Sequence, residues 1–304
     1  VCRRQRQMCI RDSLYTANDS VENRLWENLG GGRFRDATLL SGTGVDERGM
    51  TEAGMGLAVG DVDGDLDLDL FVTNFDDESN TLYEGDGSGL FRDRTVAGGL
   101  DAPSRLPVGY GTVLADLDHD GDLDLAVANG HIIDNIHFYH DGKTHAQRAQ
   151  LFENLGGGRF RELDATTSGG LAAQPWVGRG LYSGDLDGDG DLDLVLTQCG
   201  GPARILRNDA ARTPSLLVEG APVGSVLVAT LDDGTHLLRT AGAQTSYFGQ
   251  CAPAAHFGVD PARIVALELR VPYAAPVMLD GVELPRPLGP RARLEPVDGA
   301  WRLR

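Results

Sequence analysis

Short apolar runs alternate with polar stretches along the whole chain, and no apolar run is long. GLAVGD at Gly56, GTVLAD at Gly111 and GLYSGD at Gly180 each lead into an acidic stretch. LFV at Leu70, LAVA at Leu125 and LVLT at Leu194 each follow one. Runs of 3–6 residues bounded by Gly, Asp and other polar residues predict strands, not helices. The acidic stretch between two such runs is then a hairpin loop. A second motif predicts a second hairpin: NRLWENLGGGRFRDAT from Asn23, NTLYEGDGSGLFRDRT from Asn80 and AQLFENLGGGRFRELD from Ala149. Its first half ends one strand, its Gly residues supply the positive φ of a turn, and R-F-R or L-F-R begins the next. A decayed copy, ARILRND, starts at Ala203.

The two motifs alternate strictly. The acidic stretches begin at Gly60, Ala115 and Gly184, 55 and 69 residues apart, and the second motif recurs after 57 and 69 residues. A period of this size marks a repeat architecture built from one supersecondary unit. Two hairpins per period make a four-stranded antiparallel sheet, which predicts an all-β fold with the sheets as blades of a β-propeller. LYTAND at Leu14 aligns with LFVTNF at Leu70, the strand after an acidic loop, but has no loop before it. The chain therefore enters mid-blade and carries about three and a fraction blades.

The longer period places an insertion at Gly130 to Gln150, GHIIDNIHFYHDGKTHAQRAQ. Insertions of this kind map to loops on one face of a repeat protein, often the binding face. His131, His137, His140 and His145 are four of the seven His in the chain. His137 and His140 with Asp141 form a candidate transition-metal or ligand-binding group, with His131 beside them. A polar surface loop with solvated imidazoles is the competing reading.

Composition narrows the partners. Asp plus Glu number 45 against 27 Lys plus Arg, a formal charge of −18. Nucleic-acid binding leans the other way, because phosphate contacts need Lys and Arg. No apolar run approaches the roughly 18 residues of a membrane span. The four Cys (Cys2, Cys9, Cys199 and Cys251) are too few for a disulfide scaffold and lack zinc-site grouping. Cys199 and Cys251 either pair or remain free thiols. The opening VCRRQRQMCIRDS has four Arg and no apolar core of a signal peptide. It reads as a translated sequencing-adapter scar of metagenomic type over residues 1–13, with a disordered basic tail as the alternative. On the scar reading the chain is a fragment whose native start and targeting signal are missing.

The acidic loops carry the candidate chemistry. Asp116, Asp118, Asp120 and Asp124 stand at positions one, three, five and nine of the second loop, with Gly121 at six. Asp185, Asp187, Asp189 and Asp193 repeat this in the third, with Gly190 at six. Alternate residues of a tight turn aim several carboxylates inward, and the backbone carbonyls of Asp122 and Asp191 add an oxygen at position seven. Hard oxygen donors in this number select Ca²⁺ over Mg²⁺ or zinc. This is no EF-hand, since position twelve is Val72, Val127 or Leu196 inside a predicted strand. The first loop offers Asp61, Asp63, Asp65 and Asp69, with Asp67 at position seven, but puts Leu66 where the glycine stands. A left-handed Leu66 would cost about 1 kcal/mol, which predicts a weaker site there.

These repeats resemble FG-GAP/VCBS repeats, the blades of integrin α-subunit propellers. NGHI at Asn129, AQLFENLGGGRF at Ala149, VGRGLYSGDLDGDGDLDLVLT at Val177 and GPARILRND at Gly201 together resemble the cartilage acidic protein family. That family ends in a small ASPIC/UnbV domain, to which Val223 to Tyr273 is similar through the Ser-Tyr-Phe turn at Ser246, HFGV at His256 and IVALELRV at Ile264. The short lead-in at Arg212 to Val223 and VPYAAP at Val271 depart from the family pattern. The resemblance implies a partial propeller over 14–208 and a β-rich module over 209–304. It also implies structural calcium, a secreted, periplasmic or cell-surface location, and an adhesion role with a protein or glycan ligand. A closed propeller of this family has about seven blades, so open sheet edges and self-association are expected. The competing function is a polysaccharide-active enzyme or accessory module using the histidines of residues 130–150 and Tyr182. No nucleophile elbow, H-E-x-x-H or P-loop supports it, and a non-enzymatic module is expected.

Overall fold

Each acidic stretch closes a tight hairpin, and all three do so in one register. In the computed structural model, which describes residues 13–209, 214–242, 246–272, 276–279, 291–297 and 300–303, the position-nine aspartate always faces the residue before position one. The pairs are Gly60 with Asp69, Ala115 with Asp124 and Gly184 with Asp193. The register therefore puts the same carboxylate at the base of every loop. The scar reading of the N-terminus covers residues 1–13, of which 1–12 lie outside the described residues, as do residues 210–213 of the lead-in and 273–275 of VPYAAP.

Four antiparallel meanders follow one another. The first is three-stranded: β1 (Leu14–Thr16), β2 (Arg24–Gly30) and β3 (Arg33–Asp36). The next two have four strands each: β4 (Leu57–Gly60), β5 (Asp69–Val72), β6 (Thr81–Gly85) and β7 (Phe91–Asp93), then β8 (Gly109–Ala115), β9 (Asp124–Asn129), β10 (Gln150–Asn154) and β11 (Phe160–Glu162). The last, with three strands, is β12 (Gly178–Gly184), β13 (Asp193–Gln198) and β14 (Arg204–Leu206). The fold is all-β and propeller-like. β1 pairs with β2 as β5 pairs with β6.

Adjacent sheets bury their apolar faces against each other. Phe71, Leu82, Leu114, Leu125 and Phe152 form one core between the second and third sheets. Val113, Ala126, Leu181, Leu194 and Leu196 form another between the third and fourth. Fully burying each large side chain contributes about 1.5–3 kcal/mol. The inner strands β4, β8 and β12 approach so closely that only glycine fits at two points. A Cβ on Gly56 would overlap the Tyr110 carbonyl oxygen, and one on Gly111 would overlap the Leu181 amide nitrogen.

The C-terminal residues form two further sheets facing one core. β16 (Ser225–Leu231) lies between β17 (His236–Ala241) and β19 (Ile264–Arg270), with β20 (Val277–Leu279) outside β19. The other sheet orders β18 (Ala255–Phe257), β15 (Leu216–Glu219), β21 (Arg291–Val297) and β22 (Ala300–Leu303), with β15 and β21 parallel. Leu216, Val218, Leu227, Phe257, Ile264 and Leu267 fill the space between them.

Ser246 joins the C-terminal residues to the hub of the blades. The Ser246 backbone makes an isolated antiparallel bridge with Leu57, at 2.9 and 3.2 Å. Its hydroxyl donates to the Leu181 carbonyl at 2.6 Å and accepts the Thr112 amide at 3.1 Å. Ser246 thus touches β4, β8 and β12 at once. It holds a positive φ of 52°, as does Phe248 at 53°, strain that the surrounding contacts must sustain.

Candidate metal centres in the acidic loops

The loops shape themselves through their own aspartates. In the first loop Asp61 accepts the Gly64 and Leu66 amides at 2.8 and 3.1 Å; in the third Asp185 accepts those of Gly188 and Gly190 at 2.7 and 3.2 Å. Asp63, Asp118 and Asp187 each cap the amide two residues on at 3.2 Å. Asp65, Asp120 and Asp189 do the same for Asp67, Asp122 and Asp191, at 2.9, 2.9 and 3.1 Å. These Asx turns curl the chain so that alternate carboxylates face one centre.

Three groups result. Asp61, Asp63 and Asp69 bring one carboxylate oxygen each within 4.8 Å of one another, as do Asp116, Asp118 and Asp120, and Asp185, Asp187 and Asp193. Of the predicted carboxylate ligands, Asp65, Asp124 and Asp189 lie outside these groups, as do the side chains of Asp67, Asp122 and Asp191. Burial raises the carboxyls of Asp69 and Asp124 to about 8 and those of Asp61 and Asp116 to about 6. A cation at such a site would favour the ionised form and draw these values back down. Asp116 is the sharpest case: its Oδ1 is buried and has no hydrogen-bond partner among the described residues. An all-oxygen, all-acidic donor set with one orphaned buried oxygen fits a hard divalent cation such as Ca²⁺.

Position nine also locks each loop to its own sheet. Asp69 accepts the Val62 and Gly85 amides at 2.8 and 2.9 Å; Asp124 accepts those of Leu117 and Asn154 at 3.2 and 3.0 Å. Asp193 accepts those of Leu186 and Asn208 at 3.0 and 2.9 Å. The Asn154 amide group then donates to the Val62 carbonyl of the preceding loop at 2.8 Å, and Asn208 to the Leu117 carbonyl at 2.8 Å. Asn154 and Asn208 thus tie neighbouring blades together through their acidic loops. Their signal in the sequence is the asparagine shared by ENLGGG and RND, with Gly85 replacing it in the second blade.

Leu66 is left-handed, at φ 71°, as its place in the pattern requires. The second loop carries a matching strain that the spacing does not announce: His119, at position four, has φ 63°, where the other loops have Gly64 and Gly188. Only the third loop has glycine at both left-handed positions, Gly188 at 87° and Gly190 at 99°.

The insertion builds no three-ligand group from its histidines among the described residues. His131 is buried, accepts the Ile133 amide at Nδ1 (2.9 Å) and turns Nε2 toward Asp76 at 3.3 Å. Lys143 clamps the same turn, 2.6 Å from Asp76 and 2.7 Å from Asp77. His137, His140 and Asp141 are exposed, and no metal-capable group of three or more among the described residues includes them or His131. Tyr182 donates its hydroxyl to the Tyr247 carbonyl at 2.9 Å. Cys199 is exposed and Cys251 buried, both as free thiols. No helix among the described residues is long and apolar enough to cross a membrane.

Acidic hairpin loops repeated on successive antiparallel blades define a class of propeller-like repeat protein. Residues 11–72, 61–127 and 140–196 match the FG-GAP-like repeat, and the chain belongs to that family. Cartilage acidic protein 1 of Xenopus tropicalis is 27% identical over 275 residues, covering 85% of this chain and 39% of that protein. The Homo sapiens protein of that name is 24% identical over 280 residues, covering 85% and 38%. The chain thus spans about two fifths of the length of these curated relatives. Among solved structures, an Agrocybe aegerita lectin described as recognising non-reducing terminal N-acetylglucosamine aligns over 66% of this chain and 63% of its own, at 19% identity and TM-score 0.29. Rhamnogalacturonan lyase YesW aligns over 81% and 54%, at 11% identity and TM-score 0.26. Superpositions this loose carry no argument about function.

Proposed function

We propose that the chain is an extracytoplasmic, calcium-binding propeller module that presents a surface to a protein or glycan ligand, with calcium as a structural element of the blade hairpins. The observation that carries this reading is the convergence of three carboxylates in each of three loops, with Asp116 Oδ1 buried and unpartnered among the described residues. The cation offsets the mutual repulsion of five aspartates per loop and holds each hairpin shut. The millimolar calcium outside cells suits open, all-carboxylate sites of this kind. The insertion supplies the presented surface: Ile132, Phe138 and Tyr139 stand 56%, 76% and 69% exposed on a loop clamped by Lys143. The exposure of His137 and His140 favours this over a catalytic cleft.

Thermal melting with and without calcium tests the reading. Calcium at about a hundredfold over its dissociation constant should add about 2.7 kcal/mol per occupied site and raise Tm. An unchanged melting curve refutes structural calcium.

A further inference from the structure

Position six of every acidic loop is also where the C-terminal sheets meet the blades. In the second loop Arg239 donates from Nη2 to the Gly121 carbonyl at 2.6 Å and lies 3.4 Å from Asp116 Oδ2. In the third, Ser215 Oγ and His256 Nε2 both donate to the Gly190 carbonyl, at 2.5 and 3.0 Å. In the first, Leu66 packs with Leu68 onto Val226, Val228 and Leu238 of β16 and β17. The leucine that breaks the glycine pattern thus sits where its side chain meets an apolar patch. Its left-handed strain is offset by a contact that glycine cannot make.

We propose that the C-terminal sheets are a calcium-dependent cap: cation occupancy of the three loops shapes a seat at Leu66, Gly121 and Gly190, and losing the cation releases the cap. The inference rests on the calcium reading above. Position six adjoins the position-seven carbonyl that would face the cation, so one left-handed residue (φ 71°, 100° and 99°) aims both the ligand and the docking contact. Asp116 faces both ways in the same sense. Its Oδ2 accepts the Gly258 amide at 3.1 Å and lies by Arg239, while its buried Oδ1 has no partner among the described residues. The contacts at Leu66 and Gly190 are an apolar packing and bonds to a carbonyl, so they depend on loop shape. The Arg239 contact is charged and draws on carboxylates that calcium would partly neutralise. Two seats set by shape outweigh one set by charge, which makes the coupling positive. By reciprocity the cap must tighten calcium binding by the same factor.

Cys251 reports on the seat. It is 7% exposed and lines a cavity of about 160 Å³ between Ala115 and Gly184 of the blades and Arg239 and His256 of the cap. Alkylation of the intact chain, resolved by peptide mass spectrometry, reads the cap, with exposed Cys199 as the internal standard. Calcium removal should speed Cys251 modification about tenfold or more and leave Cys199 unchanged. Leu66→Gly, in saturating calcium, should speed Cys251 similarly while calorimetry still counts every calcium; Arg239→Gln provides a second variant should the first fold poorly. Calcium that binds without changing the Cys251 rate, or that accelerates it, overturns the cap and leaves structural calcium standing. Absence of calcium binding overturns both.

Discussion

The buried carboxylates make opposite pH responses the expected behaviour of the calcium-free and calcium-loaded protein. Asp69 and Asp124 have folded values of about 8, against about 4 for an exposed aspartate. Because the folded value is raised, their contribution to stability is complete below about pH 4 and is lost as pH climbs through about 8. For one such group the swing is on the order of 5 kcal/mol. For Asp61 and Asp116, at about 6, it is on the order of 3 kcal/mol and is spent by about pH 6. Loop-mates titrate together, so these figures do not add. The cation reverses the sign, because it binds only the deprotonated carboxylates. Melting should be followed by circular dichroism from about pH 5 to about pH 8, in buffer stripped of divalent ions and in excess calcium. The stripped protein should lose Tm as pH rises and the loaded protein should gain it, so the gap is widest at the alkaline end. Parallel curves, or a stripped protein that gains stability toward alkaline pH, would refute the assignment of these carboxylates to a cation site.

Ser246→Ala should cost about 1–3 kcal/mol in urea unfolding, since it strips one partner from the buried Leu181 carbonyl and Thr112 amide; a cost near zero would show that the hub does not need the hydroxyl. Gly111→Ala drives a methyl into the Leu181 amide and should cost about 3 kcal/mol. Gly157→Ala, at φ 65° with open space around it, should cost only about 1 kcal/mol; equal losses at the two sites would refute the tight hub.

The strands and acidic loops are legible in the sequence because their causes are local. A run such as LAVA, bounded by Asp and Asn, has few alternatives to a strand, and the aspartates at positions three and five of each loop fix its turn through Asx bonds. Contacts between repeats are another matter. Nothing near Asn154 says that its amide group reaches Val62 in the blade before, because that partner is set by how blades pack. The cap is hidden for the same reason: Arg239, His256 and Ser215 read as ordinary residues of a β-rich module until the chain folds them onto Gly121 and Gly190. Leu66 shows how local reading can find the right residue and miss its purpose. The broken glycine pattern predicts left-handed strain correctly, but the apolar partners come from residues 226–238. The histidines of the insertion cluster in sequence but not in role: His131 is buried against Asp76 and its amide bonds the His145 carbonyl, while His137 and His140 stand exposed.

The Ser246 bridge bears on the order of events as the protein is made. Each meander can assemble from neighbouring hairpins as soon as it leaves the ribosome, but Ser246 lies 134 residues beyond Thr112 and 65 beyond Leu181. The hub closes only once the C-terminal segment has emerged and threaded back. Contacts of such long sequence separation form slowly. Nascent chains should therefore pass through a stage with finished blades around an unfastened centre, exposed to chaperones and proteases until the segment around Ser246 arrives.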